Sequence, residues 1–277
     1  MKRKLEEVLL DFRLKKKALM SFNLQNLYHL EAAKSVSQNL KMPLIIQFSE
    51  RYLRVLDENH GIKYLLNKYS NDFTYFHLDH CIDLDFIKYC INSGFDSVMY
   101  DGSAFDIETN IKNTKIIIEH ASKADCLVEG ELGKVSGVED GFGEEGSSYA
   151  EIAEIERYVN ETNIDLMALG IGNAHGFYND LNGLKTDILK EASSKLDKNQ
   201  FYVLHGGTGL PDEIINETIG YGVVKINVST QIKKHIMDIL QMYLSENDLY
   251  NEISFNDMMV KHLYRLFEGY LMKYSNL

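Results

Sequence analysis

The residues best suited to chemistry recur at a regular interval: Asn23, Ser49, Asp79 with His80, Asp101, Glu131, His175, His205 and Asn227. From Ser49 onward the steps are 30, 22, 30, 44, 30 and 22 residues, about one strand and one helix per step. Three histidines and two carboxylates brought to one place would make a first shell for a hard-to-borderline cation. Neutral imidazole suits Zn²⁺, and catalytic zinc sites commonly use three protein ligands and leave a position open. A single histidine is more often a hydrogen-bonded structural residue, but five ligand-type residues in step with one another reverse that expectation. His60, His77, His120, His235 and His262 fall out of step and read as structural.

Two further segments carry chemistry. Gly206, Gly207, Thr208 and Gly209 directly follow His205, and a turn of this kind exposes backbone N–H groups to an anion. Asn227, Ser229 and Thr230 are placed to close the same pocket. The acidic, glycine-rich run Gly137 to Gly146 (GVEDGFGEEG) reads as a lid whose candidate catalytic carboxylate is Glu139, while Asp140, Glu144 and Glu145 read as solvated charges.

The elements that must position these residues follow from periodicity. Short apolar runs end near Phe22, Phe48, Leu78, Tyr100, Leu132, Ile171, Leu204 and Ile226, and helical patterns lie between them. Eight alternating strand and helix units predict a (β/α)8 TIM barrel over a single domain, residues 1–277, with residues 249–277 as an appended C-terminal helical segment. The rival, a doubly wound open sheet, lacks a GxGxxG after its first strand and would not spread polar residues over nearly every strand end. In a barrel those ends meet at one mouth. Cys81, beside a ligand candidate, is expected to point to the opposite face of its strand.

Composition narrows the partners. A formal charge of −12, with no basic block beyond the first seventeen residues, argues against nucleic acid or an anionic membrane as a partner. Cys81, Cys90 and Cys126 show no CxxC spacing, as expected of a reducing, cytoplasmic setting. Glu6, Glu7 and Asp11 interrupt the basic start, which therefore reads as a helix rather than a signal peptide, and no run is long and apolar enough to span a bilayer.

The segments FHLDHC (76–81), VMYDGS (98–103), EGELGKVSGVEDG (129–141), GNAHGFY (172–178), VLHGGTG (203–209) and VKINVST (224–230) together resemble the class II, zinc-dependent fructose-bisphosphate and tagatose-bisphosphate aldolases. The resemblance implies a metal-dependent carbon–carbon lyase that works through the enediolate of dihydroxyacetone phosphate. It implies that His80, His175 and His205 hold zinc, and that Asp101 and Glu131 belong to a second or alternative metal position. Asp79 would handle the C4 hydroxyl proton and Glu139 the C3 proton. Gly176, Gly206, Gly207, Thr208, Asn227 and Thr230 would hold the triose phosphate and a monovalent cation (Na⁺ or K⁺), and Asn23 and Ser49 would contact substrate. A homodimer or homotetramer acting on a small sugar phosphate is implied as well.

Three departures bear on substrate. Asn179 stands where many relatives have lysine, Ser229 where they have Asp or Asn, and residues 243–260 contain no arginine for a distal phosphate. Weak recognition of that phosphate is therefore expected, and with it a poor rate on fructose 1,6-bisphosphate. Two other readings compete, a metal-dependent hydrolase on the same barrel and a binding barrel without turnover. The hydrolase reading would prefer an HxH pair at the first strand end, where Asn23 stands, and the binding reading would tolerate loss of Asp79, Glu139 or a zinc histidine, all of which are present.

Overall fold

A computed structural model of the chain describes residues 2–57, 61–137, 148–178, 180–196, 200–246 and 251–276. Eight parallel strands close into a barrel in chain order: β1 (Leu19–Asn23), β2 (Leu44–Ser49), β3 (Thr74–Cys81), β4 (Ser97–Tyr100), β5 (Leu127–Leu132), β6 (Leu166–Leu169), β7 (Phe201–Leu204) and β8 (Val223–Val228). The helices are α1 (Leu5–Leu14), α2 (Leu27–Leu40), α3 (Glu50–Asp57), α4 (Gly61–Tyr69), α5 (Leu84–Ser93), α6 (Ile107–Ala121), α7 (Ile152–Thr162), α8 (Thr186–Lys195), α9 (Asp212–Gly220), α10 (Thr230–Glu246) and α11 (Glu252–Tyr270). Every apolar run singled out above forms a strand. The sequence missed α3, a short helix of low apolar content that buries Leu53 and Glu50.

The strands are buried on both faces, as parallel barrel strands must be. Their outward residues, such as Phe22, Ile46, Phe76, Val98 and Leu204, pack under the helices in one continuous core. The inward residues form layers. At the N-terminal end the layer is apolar (Leu19, Ile45, Tyr75, Leu127, Leu166, Phe201) and is plugged from below by Leu5, Val8, Leu9 and Phe12, the one apolar stripe of α1. Burying each of these side chains stabilises by roughly 1.5–3 kcal/mol, so the first helix acts as the stopper of the barrel. Above it lies a buried polar layer containing Ser21, Gln47, His77, Ser97, Glu129 and Lys225. The next residues along the strands reach the mouth.

The C-terminal segment closes the outer layer beside β1. Phe267 of α11 stacks on Phe22 at 4.5 Å, and the backbone N–H of Ala18 donates to the Tyr274 carbonyl at 3.0 Å. No helix among the described residues is long and apolar enough to cross a membrane.

Candidate active site

Strict two-residue alternation along β3 would put Asp79 in the barrel and His80 outside it. The backbone prevents this. His80 has φ +40°, and the register with β4 shifts between Leu78 and Cys81. This left-handed residue resets the parity, so Asp79 and His80 both face the mouth while Cys81 joins Leu78 in the outer core. The strand therefore runs through the pair rather than ending before it, and Cys81 lies on the face opposite its neighbour His80, as expected, with the parity reset sending it outward.

The three histidines meet. One ring nitrogen from each of His80, His175 and His205 lies within 4.8 Å of the other two, and His80, Asp101 and Glu131 form a second group by the same measure. His80 Nε2, His205 Nδ1 and Glu131 Oε2 are buried without a hydrogen-bond partner. Such atoms cost about 1–3 kcal/mol each when left unsatisfied. Inward-facing imidazole nitrogens with a carboxylate oxygen beside them are the donor set a divalent cation would satisfy, so the residues fit the metal expected of them.

The other side of two of these rings is fixed. His205 Nε2 lies 2.8 Å from Glu129 Oε1, and Lys225 Nζ donates to Glu129 Oε2 at 2.7 Å. His80 Nδ1 lies 2.8 Å from Asp101 Oδ2, whose other oxygen accepts from the backbone N–H and hydroxyl of Ser103. Asp101, expected as a metal carboxylate, hydrogen-bonds the His80 ring while remaining in the second ligand group, and Glu131 keeps one oxygen without a hydrogen-bond partner. Electrostatics agree with this division. Burial opposes a charge on His80, but Asp79, Asp101 and Glu131 hold its pKa well above the ordinary imidazole value. Burial and the neighbouring Asp101 push Glu131 well above the carboxylate range. Burial works against Glu129 as well, yet Lys225 holds it below that range. Burial, with His80 and His205, pushes His175 down to about 2.

Asp79 sits beside this cluster on a bed of amides. Gln47 Nε2 donates to it at 3.0 Å, and the side-chain amides of Asn23 and Asn227 lie at 3.4 Å. Ser49 is its register partner on β2. Lys225 is fully buried one layer below the mouth. A different lysine, Lys233 in the first turn of α10, is close enough to act on His175.

The loops after β7 and β8 form one cradle. Gly206 has φ +67°, and a Cβ there would lie 2.2 Å from the Ala174 carbonyl oxygen. Only glycine fits. The Gly207 N–H donates to the Asn227 carbonyl at 3.2 Å, and Thr208 Oγ1 accepts from the Gln231 N–H at 3.2 Å. Tyr178 ties the β6 loop to this turn, its hydroxyl donating to the Gly206 carbonyl at 2.8 Å. Ser229 precedes the N-terminus of α10, which begins at Thr230, and Gly176 lies in open space. Glu139 and Asn179 lie outside the described residues; the stem of the Glu139 segment is an antiparallel bridge between Lys134 and Ser148.

Sequence reasoning passed over Gln47, Glu129 and the orienting roles of Asp101 and Tyr178. A signal existed for the first two: Ser21, Gln47, His77, Glu129 and Lys225 each stand two residues before a mouth residue and so share its inward parity. His77, read as structural, hydrogen-bonds within that layer, with Ser97 Oγ at 2.8 Å and Lys225 Nζ at 3.3 Å.

Residues 3–271 match the family described as fructose-bisphosphate aldolase class-II. A fructose-bisphosphate aldolase of Ureaplasma parvum serovar 3 is 38% identical over 237 residues, 83% of this chain and 79% of that protein. A sulfofructosephosphate aldolase of Alkalicoccus urumqiensis is 33% identical over 235 residues, 82% of this chain and 80% of that protein. The crystal structure of the YdjI aldolase of Escherichia coli K12 superposes with a TM-score of 0.82 at 23% identity, covering 99% of this chain and 97% of that one, and shows the same fold.

Proposed function

The chain belongs to the class II fructose-bisphosphate aldolase family, and from that premise we propose that it cleaves and forms the C3–C4 bond of a ketose phosphate, with dihydroxyacetone phosphate as its three-carbon partner. It is a class II aldolase, a carbon–carbon lyase. Relatives are named as aldolases of a sulfofructose phosphate and of a fructose bisphosphate, and a phosphorylated ketose is common to both names. The observation that carries the reading is the convergence of His80, His175 and His205 next to the amide-bedded Asp79.

In this reading His80, His175 and His205 hold Zn²⁺, Glu131 offers an alternative ligand, and Asp101 and Glu129 fix the rings of His80 and His205. The bound cation would supply Lewis-acid stabilisation of the negative charge that cleavage leaves on the ketose oxygens. Asp79 takes the proton from the C4 hydroxyl; the C3–C4 bond breaks, the aldehyde forms at C4, and the bonding pair stays with the three-carbon half. Glu139 then delivers a proton to C3. The Gly206–Thr208 turn, Asn227, Ser229 and the α10 N-terminus at Thr230 hold the triose phosphate, with Na⁺ or K⁺ beside it, and Gly176 leaves room on the opposite side. Asn23 and Ser49 meet the sugar from β1 and β2. Lys225 is ion-paired to Glu129 and supplies no Schiff base.

The test is to separate the two carboxylates. Asp79→Ala is expected to lower cleavage by about 10² to 10⁴ while zinc stoichiometry stays at the native value, and Glu139→Ala to slow tritium exchange at C3 of dihydroxyacetone phosphate. Cleavage unchanged in Asp79→Ala would overturn its assignment, as unchanged exchange in Glu139→Ala would overturn the other.

A further inference from the structure

We infer that Ser21 is a positioning residue for carbon–carbon cleavage: from the floor of the mouth it holds the Gln47 amide so that the nitrogen end of that amide grips Asp79. This rests on the aldolase reading above, in which Asp79 takes the C4 hydroxyl proton, and extends it to a residue that touches no substrate.

Three neighbouring strands carry the chain of contacts. Ser21 Oγ on β1 donates to Gln47 Oε1 on β2, and Gln47 Nε2 donates to Asp79 Oδ2 on β3 at 3.0 Å. The path climbs the barrel diagonally. Gln47 is in register with Asn23, two residues above Ser21, and Asp79 is in register with Ser49, two residues above Gln47. Ser21 and Gln47 are fully buried and Asp79 nearly so, which keeps bulk water from taking over either bond.

The two ends of a glutamine amide are nearly the same shape and opposite in hydrogen-bonding character. A carboxylate needs the nitrogen end. Turned round, the amide would set its oxygen against the Asp79 oxygen, acceptor against acceptor. Only the observed orientation lets both ends bond, and the Ser21 hydroxyl is the partner that completes it. Without that hydroxyl the Gln47 carbonyl is buried and unsatisfied, which is costly, and a side chain with several rotatable bonds reseats to relieve it.

Of the amides around Asp79, Gln47 makes the shortest contact, since those of Asn23 and Asn227 lie at 3.4 Å. Asn227 Oδ1 is buried without a hydrogen-bond partner, so that amide has no anchor of the kind Ser21 gives Gln47. A general base must hold one oxygen at the proton it takes, and a small misplacement is costly in rate. Loosening Gln47 therefore reaches the cleavage step and spares proton exchange at C3, which the aldolase reading gives to Glu139.

The test measures two rates in the metal-loaded protein. One is cleavage of fructose 1-phosphate or fructose 1,6-bisphosphate, whichever the native protein turns over faster, and the other is tritium exchange at C3 of dihydroxyacetone phosphate. Ser21→Ala is expected to lose about ten- to a hundredfold in kcat for cleavage and less than about threefold in exchange, with native zinc stoichiometry. Ser21→Cys, close in size but a weak donor, should show the same selective loss, and Ser21→Thr, which keeps the hydroxyl, should keep the native ratio of the two rates. In Gln47→Met, where the amide is already gone, adding Ser21→Ala should cost less than about threefold more in cleavage. Unchanged cleavage in Ser21→Ala and Ser21→Cys, cleavage and exchange falling together, or a full further loss in the Gln47→Met background would overturn the proposal. A native protein that shows no exchange, or cleaves neither ketose, would instead sink the aldolase reading itself.

Discussion

Replacing Glu129 by Gln tests whether the buried layer beneath the mouth sets up the metal site. Glu129 is fully buried, with Lys225 Nζ at 2.7 Å and His205 Nε2 at 2.8 Å. A glutamine keeps the volume but removes the charge, and Lys225 is then a buried cation without a counter-ion. Breaking a buried pair from one side typically costs about 3–5 kcal/mol, a large part of the stability of an ordinary domain. The same change weakens the acceptor that holds His205 with Nδ1 toward the other histidines, and losses of about 10–100-fold in metal affinity follow from removing such supports. The two effects separate in the double variant Glu129→Gln/Lys225→Met. Stability should largely return, since no charge is left buried alone, while metal affinity should stay low because the His205 acceptor is still neutral. Urea unfolding of the metal-free proteins reads the first quantity and chelator competition for zinc the second. Native zinc affinity in Glu129→Gln, or recovery of affinity together with stability in the double variant, would refute the orienting role.

Two further outcomes are expected. Gly206→Ala should raise the dissociation constant for dihydroxyacetone phosphate by about tenfold or more with zinc binding unchanged, because its Cβ would meet the Ala174 carbonyl and the φ of +67° is costly for any other residue; near-native affinity by calorimetry would remove this turn from the phosphate cradle. Burial pushes the Asp165 carboxyl up to about 6 from 3.8, so the stability it contributes is full below about pH 4 and is lost as pH rises through 6. Asp165→Asn, which can still accept from the Val128 N–H, should therefore gain stability at pH 8, by at most about 3 kcal/mol, and gain little at pH 4.5; equal shifts in unfolding midpoint at both values would count against it.

The sequence by itself determined the barrel and the membership of its mouth. Both are written in local pattern: eight apolar runs bounded by helical periods, and a polar residue closing nearly every run, which parallel strands must deliver to one end. Local pattern also fixed α1, whose residues at positions 5, 8, 9 and 12 share one face. What it could not supply was any fact that depends on which atoms meet across the barrel. Glu129 and Lys225 are 96 residues apart, and Asp79 and Asn227 are 148 apart; each looks like an isolated polar residue in an apolar strand until closure of the barrel pairs them. Parity failed at His80 for a similar reason. A single left-handed residue reverses the facing of everything after it, and nothing in the letters HLDHC marks the residue that adopts it. Asp101 shows the same division: its type was readable in the chain, but whether a carboxylate orients a ring or awaits a cation is settled by the neighbours that tertiary structure brings within about 3 Å.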